Sequence, residues 1–448
     1  MSGPILRDKV FFFFNVRDQN NRNHLNGVRR FNVTDMSNYY SDNPLLWRTQ
    51  NTGDSSYVSM NRWSGNSILG KLSFQVLDGV RFSTLFSTDQ DKGYGYDHGF
   101  KYNPDGMAAG HGKTNFFSFQ WNHLLSTKLF YDLKLSTTEN YSGGYLYKDP
   151  LDSSYVHDKF LESFGPGFYT GGQQKHHDER TVKSSNAKFD LNWIINKNHS
   201  IKTGLNFTNY DVDNAWKQIR NQYFGTAEEA DLYAPEVLGD STLYADIYTV
   251  KPTEVSAFIQ DKMEFQEMVI NLGLRYDMFN PNSPIPSDRR NPANQLSLPD
   301  SMTSAYPNAK PQTQISPRFG LAYQLGDAAV LHFSYGHFFQ MPPMYSLFQN
   351  HSFLIAPNDY STVMGNAELK AEKTVTYEIG LWQQLFPGAG LEVSLFYRDI
   401  YNLLSTRIIS TYNQIEYGLY SNKDYGNARG LEIKFDLATG PISAWLNY

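Results

Sequence analysis

The sequence lacks three features that would place it in a class at once: cysteine, a long apolar run and a surplus of positive charge. None of its 448 residues is a cysteine, which excludes disulfide bridges and thiolate metal sites. No stretch reaches the roughly 18 consecutive apolar residues of a transmembrane helix, and the mean hydropathy is -0.51. The net charge is -6 and the lysines and arginines are scattered, so nothing indicates a nucleic-acid-binding surface.

The amino terminus lacks an export signal. Residues 1–9 contain no apolar core of the kind found in signal peptides. If the protein is exported to an outer membrane, we therefore expect its true start to lie upstream of Met1.

Aromatic residues are abundant, at 15% of the chain, with 31 tyrosines and 31 phenylalanines. These residues favour β-strands and gather at membrane interfaces. Alternation of apolar and polar residues with a period of two predicts about fifteen strands. The strands are predicted over residues 9–16, 68–77, 80–88, 117–123, 129–135, 187–193, 201–207, 255–263, 270–278, 319–325, 329–335, 373–381, 391–397, 431–437 and 442–446.

The predicted connections alternate between tight turns and long polar segments. Asp78-Gly79, Gly326-Asp327 and Pro387-Gly388 are typical of short hairpin turns. The other connections have about 25 to 45 residues, beyond the ordinary loop length. A sandwich or propeller has no reason to keep this alternation. It favours an all-β fold: a large antiparallel transmembrane β-barrel with short periplasmic turns and long extracellular loops.

In such a barrel the polar strand positions face a wide, water-filled lumen. The predicted strands are odd in number, and an open edge in lipid leaves unpaired backbone groups that cost several kcal/mol each. We therefore expect residues 1–448 to form one domain, an incomplete barrel without its closing strands.

Four different short motifs occur along the chain, one after another. They comprise Gly3 and Pro4 before a phenylalanine run; Pro317, Arg318 and Gly320; Asn366, Leu369, Lys370, Glu372, Lys373, Tyr377, Glu378 and Gly380; and Arg429, Gly430 and Glu432. Together they resemble the barrel strands of TonB-dependent outer-membrane receptors. The chain departs from that family at Ala367 and Ala371, where proline is usual.

The resemblance implies a barrel of the roughly 22-stranded type, embedded in outer-membrane lipid. It implies capture of a scarce small-molecule or oligomeric nutrient by the extracellular loops. Import would use the coupling protein TonB, through a plug domain and a TonB box that these residues do not include. A surface lipoprotein is a further candidate partner, and neither a cofactor nor an enzymatic activity is expected. A passive porin-like channel, a surface receptor or adhesin on the same barrel, and a soluble propeller lectin remain alternatives.

Candidate ligand-binding residues are expected in the extracellular loops. His176 and His177, followed by an aspartate and a glutamate, could hold a metal ion or an iron chelate. No second cluster at ligand spacing accompanies them, which favours a solvated loop tip. Further candidates are interpreted as loop residues, with aromatic rings that could stack on sugars or flat ligands: Tyr94, Tyr96, Asp97, His98 and Trp216. The ligand itself is left open among iron chelates, cobalamin, oligosaccharides and peptides.

Overall fold

Strands account for most of the computed structural model, which describes residues 1–39, 41–162, 167–355 and 362–448. In chain order they are β1 (Ser2–Leu6), β2 (Val10–Asn21), β3 (Asn26–Val28), β4 (Ser37–Asn38), β5 (Arg48–Thr49), β6 (Tyr57–Ser59), β7 (Trp63–Leu77), β8 (Val80–Gly93), β9 (Ala109–Ser126), β10 (Leu129–Tyr145), β11 (His176–Ile194), β12 (His199–Asn221), β13 (Pro235–Val237), β14 (Ala245–Val250), β15 (Thr253–Glu264), β16 (Met268–Asn280), β17 (Gln312–Leu325), β18 (Ala329–Gln340), β19 (Val363–Met364), β20 (Glu372–Phe386), β21 (Ala389–Ser410), β22 (Glu416–Thr439) and β23 (Ile442–Asn447).

Helices are few and short in this part of the chain. A five-residue α-helix, α1 (Met344–Phe348), lies in the connection after β18. Single 3₁₀ turns occur at Pro44–Leu46, His98–Phe100, Pro104–Gly106 and Asp158–Phe160. Among the described residues, no helix is long and apolar enough to span a membrane.

The described strands form one large sheet of 19 members, in which successive long strands pair antiparallel. Three of the 19, namely β13, β14 and β19, come from connections and pair beside the long strands. The remaining sixteen include all those predicted, and the all-β antiparallel fold is confirmed. The additional strand is β1, whose Gly3 and Pro4 lie opposite Phe12 and Phe11. Proline is tolerated there because it occupies an edge strand.

The tight turns occur where the sequence predicts them. Val80 follows Leu77 across Asp78-Gly79, and Ala389 follows Phe386 across Pro387-Gly388. Gly79 has φ +80 and Gly388 has φ +89, a conformation that residues with a side chain rarely adopt. These glycines allow adjacent long strands to reverse within two residues.

Strand register gives the sheet one apolar face and one polar face. The apolar face carries exposed side chains on many strands: Ile68, Leu72, Phe86, Phe117, Leu135, Leu205, Phe207, Ile259, Leu274, Ile379, Leu395 and Leu431. The polar face carries ion pairs between residues two apart, such as Lys188 with Asp190 at 2.9 Å and Arg275 with Asp277 at 2.8 Å. An exposed apolar face of this extent is expected to contact lipid. We call it the outer face, and the polar side the inner face.

The two ends of the sheet differ, although less simply than the sequence predicts. One end carries only tight turns, and the other carries the longer connections. The prediction of a long loop between residues 397 and 431 is wrong: β21 continues to Ser410 and β22 begins at Glu416. Similarly, β8 and β9 leave only residues 94–108 between them. Above an apolar belt both faces meet water, so strands continue by backbone hydrogen bonding without apolar alternation.

The first and last strands each pair on one side. β1 pairs with β2, and β23 pairs with β22. Among the described residues, no ladder joins β1 to β23. The sheet is therefore open along these two edges.

Candidate ligand site at the loop-bearing end of the sheet

A cavity of about 800 Å³ lies at the loop-bearing end, against the inner face. Its floor belongs to β10, β11, β12 and β14, and its opposite wall to α1 and the residues that follow it. We call this cavity the mouth pocket. Its size is within the range of pockets that bind small molecules.

Two rows of opposed residues form the floor of the mouth pocket. In the first row, Gly144 lies opposite Asp178, which lies opposite Trp216, which lies opposite Asp246. In the second row the order is Ser142, Arg180, Asn214 and Tyr248. Because alternate residues of a strand share a face, four strands in register present these side chains together.

The opposite wall is held by a buried core beneath it. Leu347 and Phe348 of α1 are buried in a cluster that includes Val212, and the ring of Phe348 lies 6.5 Å from that of Tyr248. This packing leaves Tyr345, at the start of the helix, 44% exposed and lining the pocket.

Asn350 shapes the segment after the helix. It has φ +52, and its side-chain amide bonds to Leu354 in both directions, accepting at 3.0 Å and donating at 2.7 Å. Its own backbone N–H donates to Asp246 Oδ2 at 3.0 Å. The segment is therefore pinned to the floor by hydrogen bonds as well as by apolar packing.

Charge in the mouth pocket is mainly negative. Burial raises the pKa of Asp246, and the backbone N–H groups of Asn350 and His351 oppose that shift. Asp178 adds a second carboxyl beside the only arginine of the lining, Arg180. Within the described part of the chain, Arg180 makes no ion pair with a carboxylate. The carboxyls and Arg180 could form hydrogen bonds with a polar ligand, and the rings of Trp216 and Tyr345 could stack on it.

Comparison of the sequence with models of protein families shows the family to which the chain belongs. The family model described as TonB-dependent receptor-like β-barrel matches residues 9–448. This chain belongs to the TonB-dependent receptor family. Members of the family are outer-membrane transporters and not enzymes.

Solved structures of TonB-dependent receptors share the fold at low sequence identity. The FrpB iron transporter from Neisseria meningitidis is 15% identical with a TM-score of 0.61, over 98% of this chain and 57% of that one. The siderophore receptor PirA from Acinetobacter baumannii is 13% identical with a TM-score of 0.63, over 100% and 58%. The transporter YddB from Escherichia coli is 12% identical with a TM-score of 0.63, over 98% and 51%.

This chain therefore spans somewhat more than half the length of those receptors. No protein of curated function matches the sequence significantly.

The structure places the two predicted histidines in a strand. His176 and His177 open β11, so the prediction of a solvated loop tip is wrong. His176 lies 3.8 Å from Asp178 on the inner face. His177 points to the other face, where it is 1% exposed and stacks on Tyr145 at 4.8 Å. Strand alternation therefore keeps the two rings from converging on one ion. The described residues contain no group of three or more histidines and carboxylates placed to hold a metal.

The remaining predicted residues divide between two places. Trp216 lies in β12 rather than in a loop, and it lines the mouth pocket. Tyr94, Tyr96 and Asp97 do lie in a connection, and Asp97 caps the 3₁₀ turn of His98 by accepting from the Gly99 N–H at 2.8 Å. Their part in ligand binding remains a prediction, and of the seven candidate residues only Trp216 lines the mouth pocket.

The family motif around Asn366 serves packing in this chain. The Asn366 side chain accepts from Arg289 at 2.8 Å and donates to the Tyr420 backbone at 2.9 Å. Leu369 is fully buried in the core below α1. Asn422 exchanges two hydrogen bonds with the Lys370 backbone, at 2.7 and 2.9 Å. The motif thus holds the connection after β18 against the ends of β21 and β22 that lie at the loop-bearing end of the sheet.

Sequence reasoning missed most of the mouth pocket. Arg180, Asp246, Tyr345 and Asn350 carry no motif, and they come from segments distant in sequence. A usable signal was present only in Arg180, which lies two residues after Asp178 and so shares its face.

Proposed function

We propose that this chain is the barrel of an outer-membrane receptor that captures a polar ligand in the mouth pocket and imports it with TonB-coupled energy. The observation that carries the proposal is the pair of inner-face rows at the loop-bearing end, where Trp216, Asp178 and Arg180 face a cavity closed by the α1 segment. Such a site lies between the outside of the cell and the lumen. A ligand bound there is positioned for passage through the barrel.

The proposal includes a plug domain and a TonB box outside residues 1–448. The lumen of a barrel with this many strands needs a filler to prevent leakage, and the related structures are considerably longer than this chain. The ligand class follows from charge: carboxyls outnumber arginine in the lining, which favours a neutral or cationic polar ligand over an anionic chelate. A surface lipoprotein that covers the mouth is a further proposed partner.

The test is uptake by cells that produce the full-length receptor, with and without TonB. Labelled oligosaccharides, peptides, cobalamin and ferric chelates serve as probes. We expect one neutral or cationic probe to enter only when TonB is present. Trp216→Ala should weaken its binding about tenfold or more, because an aromatic anchor that the ligand covers typically contributes about 2 kcal/mol.

Trp193→Ala is the matched control, because Trp193 is 48% exposed on the outer face, far from the mouth pocket. It should leave uptake unchanged. Uptake that is equal without TonB would instead identify a passive channel. Binding without any uptake would identify a surface receptor or adhesin.

A further inference from the structure

A second cavity, of about 500 Å³, lies at the same end of the sheet but on its outer face. Its base is a row of three opposed residues, Asn20, Ser64 and Lys92. Ser64 and Lys92 have the same strand parity as Ile68 and Phe86, which belong to the exposed apolar face. We call this cavity the outer basic pocket. Its base therefore lies on the membrane side of the wall, not on the lumen side.

The lining of the outer basic pocket contains four cations and no carboxylate: Arg22, Arg29, Arg62 and Lys92. Arg29 is already neutralised, because it donates to Asp105 at 2.5 Å and lies 3.4 Å from Asp54. The other three side chains are exposed. Within the described residues, none of these three has a carboxylate oxygen within ion-pair distance.

Two of the unpaired cations converge on one aromatic ring. The guanidinium of Arg62 lies 4.4 Å from the ring centre of Tyr94, and the ammonium of Lys92 lies 5.6 Å from the same centre. The Tyr94 N–H donates to the Arg62 carbonyl at 2.9 Å, which ties the backbone of Tyr94 to that of Arg62. Like charges placed around one ring repel each other, and an anion bound beside both would relieve the repulsion.

The neighbouring acidic residue does not supply that anion. Asp91 precedes Lys92 on β8, so strand alternation directs it to the inner face, where its carboxylate lies beside Gly112. Among the described residues, Arg22, Arg62 and Lys92 therefore have no ion-pair partner on the outer face.

The height of the pocket indicates what it meets. Lys92 lies six residues beyond Phe86, the last large apolar residue of the outer face on β8, and six residues of a tilted strand rise roughly 15 Å. This level is above the acyl chains, where the sugars of an outer-leaflet glycolipid extend. Tyr57, 82% exposed, also lines the cavity and could stack its ring on a sugar, whereas the ring of Trp63 lies over Gly65 and Gly93 towards the inner face.

We propose that the outer basic pocket binds the phosphorylated sugar head group of an outer-leaflet glycolipid. Arg62 and Lys92 would bind phosphate, with Arg22 completing the positive charge, while the ring of Tyr57 contacts the sugar. This function is separate from ligand import, because the pocket lies on the opposite face of the wall from the mouth pocket.

The experiment compares glycolipid binding by the purified full-length receptor and by Arg62→Ala/Lys92→Ala, using native mass spectrometry in detergent. Phosphorylated lipopolysaccharide, the same lipid after enzymatic dephosphorylation, and a soluble phosphorylated sugar are the three probes. We expect the wild type to bind the phosphorylated lipid at least about tenfold more tightly than the double variant does, because each cation near an anionic surface contributes several-fold. Dephosphorylation should cause a similar loss in the wild type.

Two further variants keep the result interpretable. Arg62→Lys/Lys92→Arg retains both charges and should bind nearly as well as the wild type. Arg407→Ala/Lys423→Ala removes two exposed cations from the β21–β22 hairpin, and it should change nothing. Equal binding of phosphorylated lipid by the wild type and Arg62→Ala/Lys92→Ala would overturn the proposal. It would also fail if the soluble phosphorylated sugar bound as tightly as the lipid, since the site would then be one for free anions.

Discussion

The mouth pocket and the outer basic pocket lie at the same end of one sheet, yet they differ in charge and in construction. The mouth pocket is lined mainly by carboxyls and is closed by a segment that packs on a buried core. The outer basic pocket is lined by exposed cations on strand ends and short hairpins. One wall can therefore present different chemistry to the lumen and to the membrane, because alternate residues of each strand point to opposite faces.

The largest difference between the binding activities of the two pockets is expected when the core beneath the mouth pocket is disrupted. Phe348→Ala deletes a ring that is 2% exposed, and such a change in a buried core costs about 3 to 5 kcal/mol. We expect residues 341–355 to lose protection from hydrogen exchange and ligand binding at the mouth to be abolished. Glycolipid binding should persist. Loss of both activities would show that the two pockets are not independent.

A smaller effect is expected at Asn350, which holds the wall of the mouth pocket in a left-handed conformation. Asn350→Ala removes two hydrogen bonds to Leu354 and places an unfavourable side chain at positive φ, at a cost of about 1 to 2 kcal/mol. Asn350→Gly removes the same bonds but tolerates the backbone, and it should cost less. Hydrogen exchange of the 349–354 amides measures both. Equal losses would mean that the backbone conformation contributes nothing.

The smallest effect concerns Asp246 and has a defined sign. Because burial raises its pKa above the ordinary 3.8, Asp246 binds a proton more readily when the α1 segment is docked. Docking should therefore weaken as the pH rises from that ordinary value towards the raised pKa. His351 acts oppositely: burial lowers its pKa, so docking weakens as the pH falls below about 6.5.

Asp246→Asn isolates the contribution of the carboxyl. The difference in amide protection of residues 349–354 between wild type and variant should change with pH, and the variant should be at least as protected at neutral pH. A difference that is independent of pH would contradict the proposed role of burial. The same titration should leave the outer basic pocket unaffected, since neither Asp246 nor His351 lines it.

Much of the wall could be predicted from the sequence because lipid and water impose a period of two on each strand. The run from Ile270 to Met278 and the turn at Asp78-Gly79 are examples, and both occur as predicted. The ends of the strands at the loop-bearing end of the sheet could not be predicted in this way. Between residues 397 and 431 both faces meet water, so backbone pairing continues without an apolar pattern to reveal it.

The candidate site was less accessible to sequence reasoning. Trp216 was identified by its residue type, but it was placed in a loop, and His177 proved to be buried on the opposite face. The mouth pocket depends on the mutual register of β10, β11, β12 and β14, which no single segment encodes.

By itself, the sequence determined that the chain forms antiparallel strands with one apolar face and tight turns at one end, since these follow from local alternation and turn chemistry. Only the tertiary structure decided which polar residues meet. Asp178, Trp216 and Asp246 lie in one row because strand register aligns β11, β12 and β14. Arg62 and Lys92 both lie near the ring of Tyr94 because strand pairing and loop packing bring their segments together. Register is set by the sum of many hydrogen bonds and side-chain contacts between paired strands, so it cannot be predicted from any single segment.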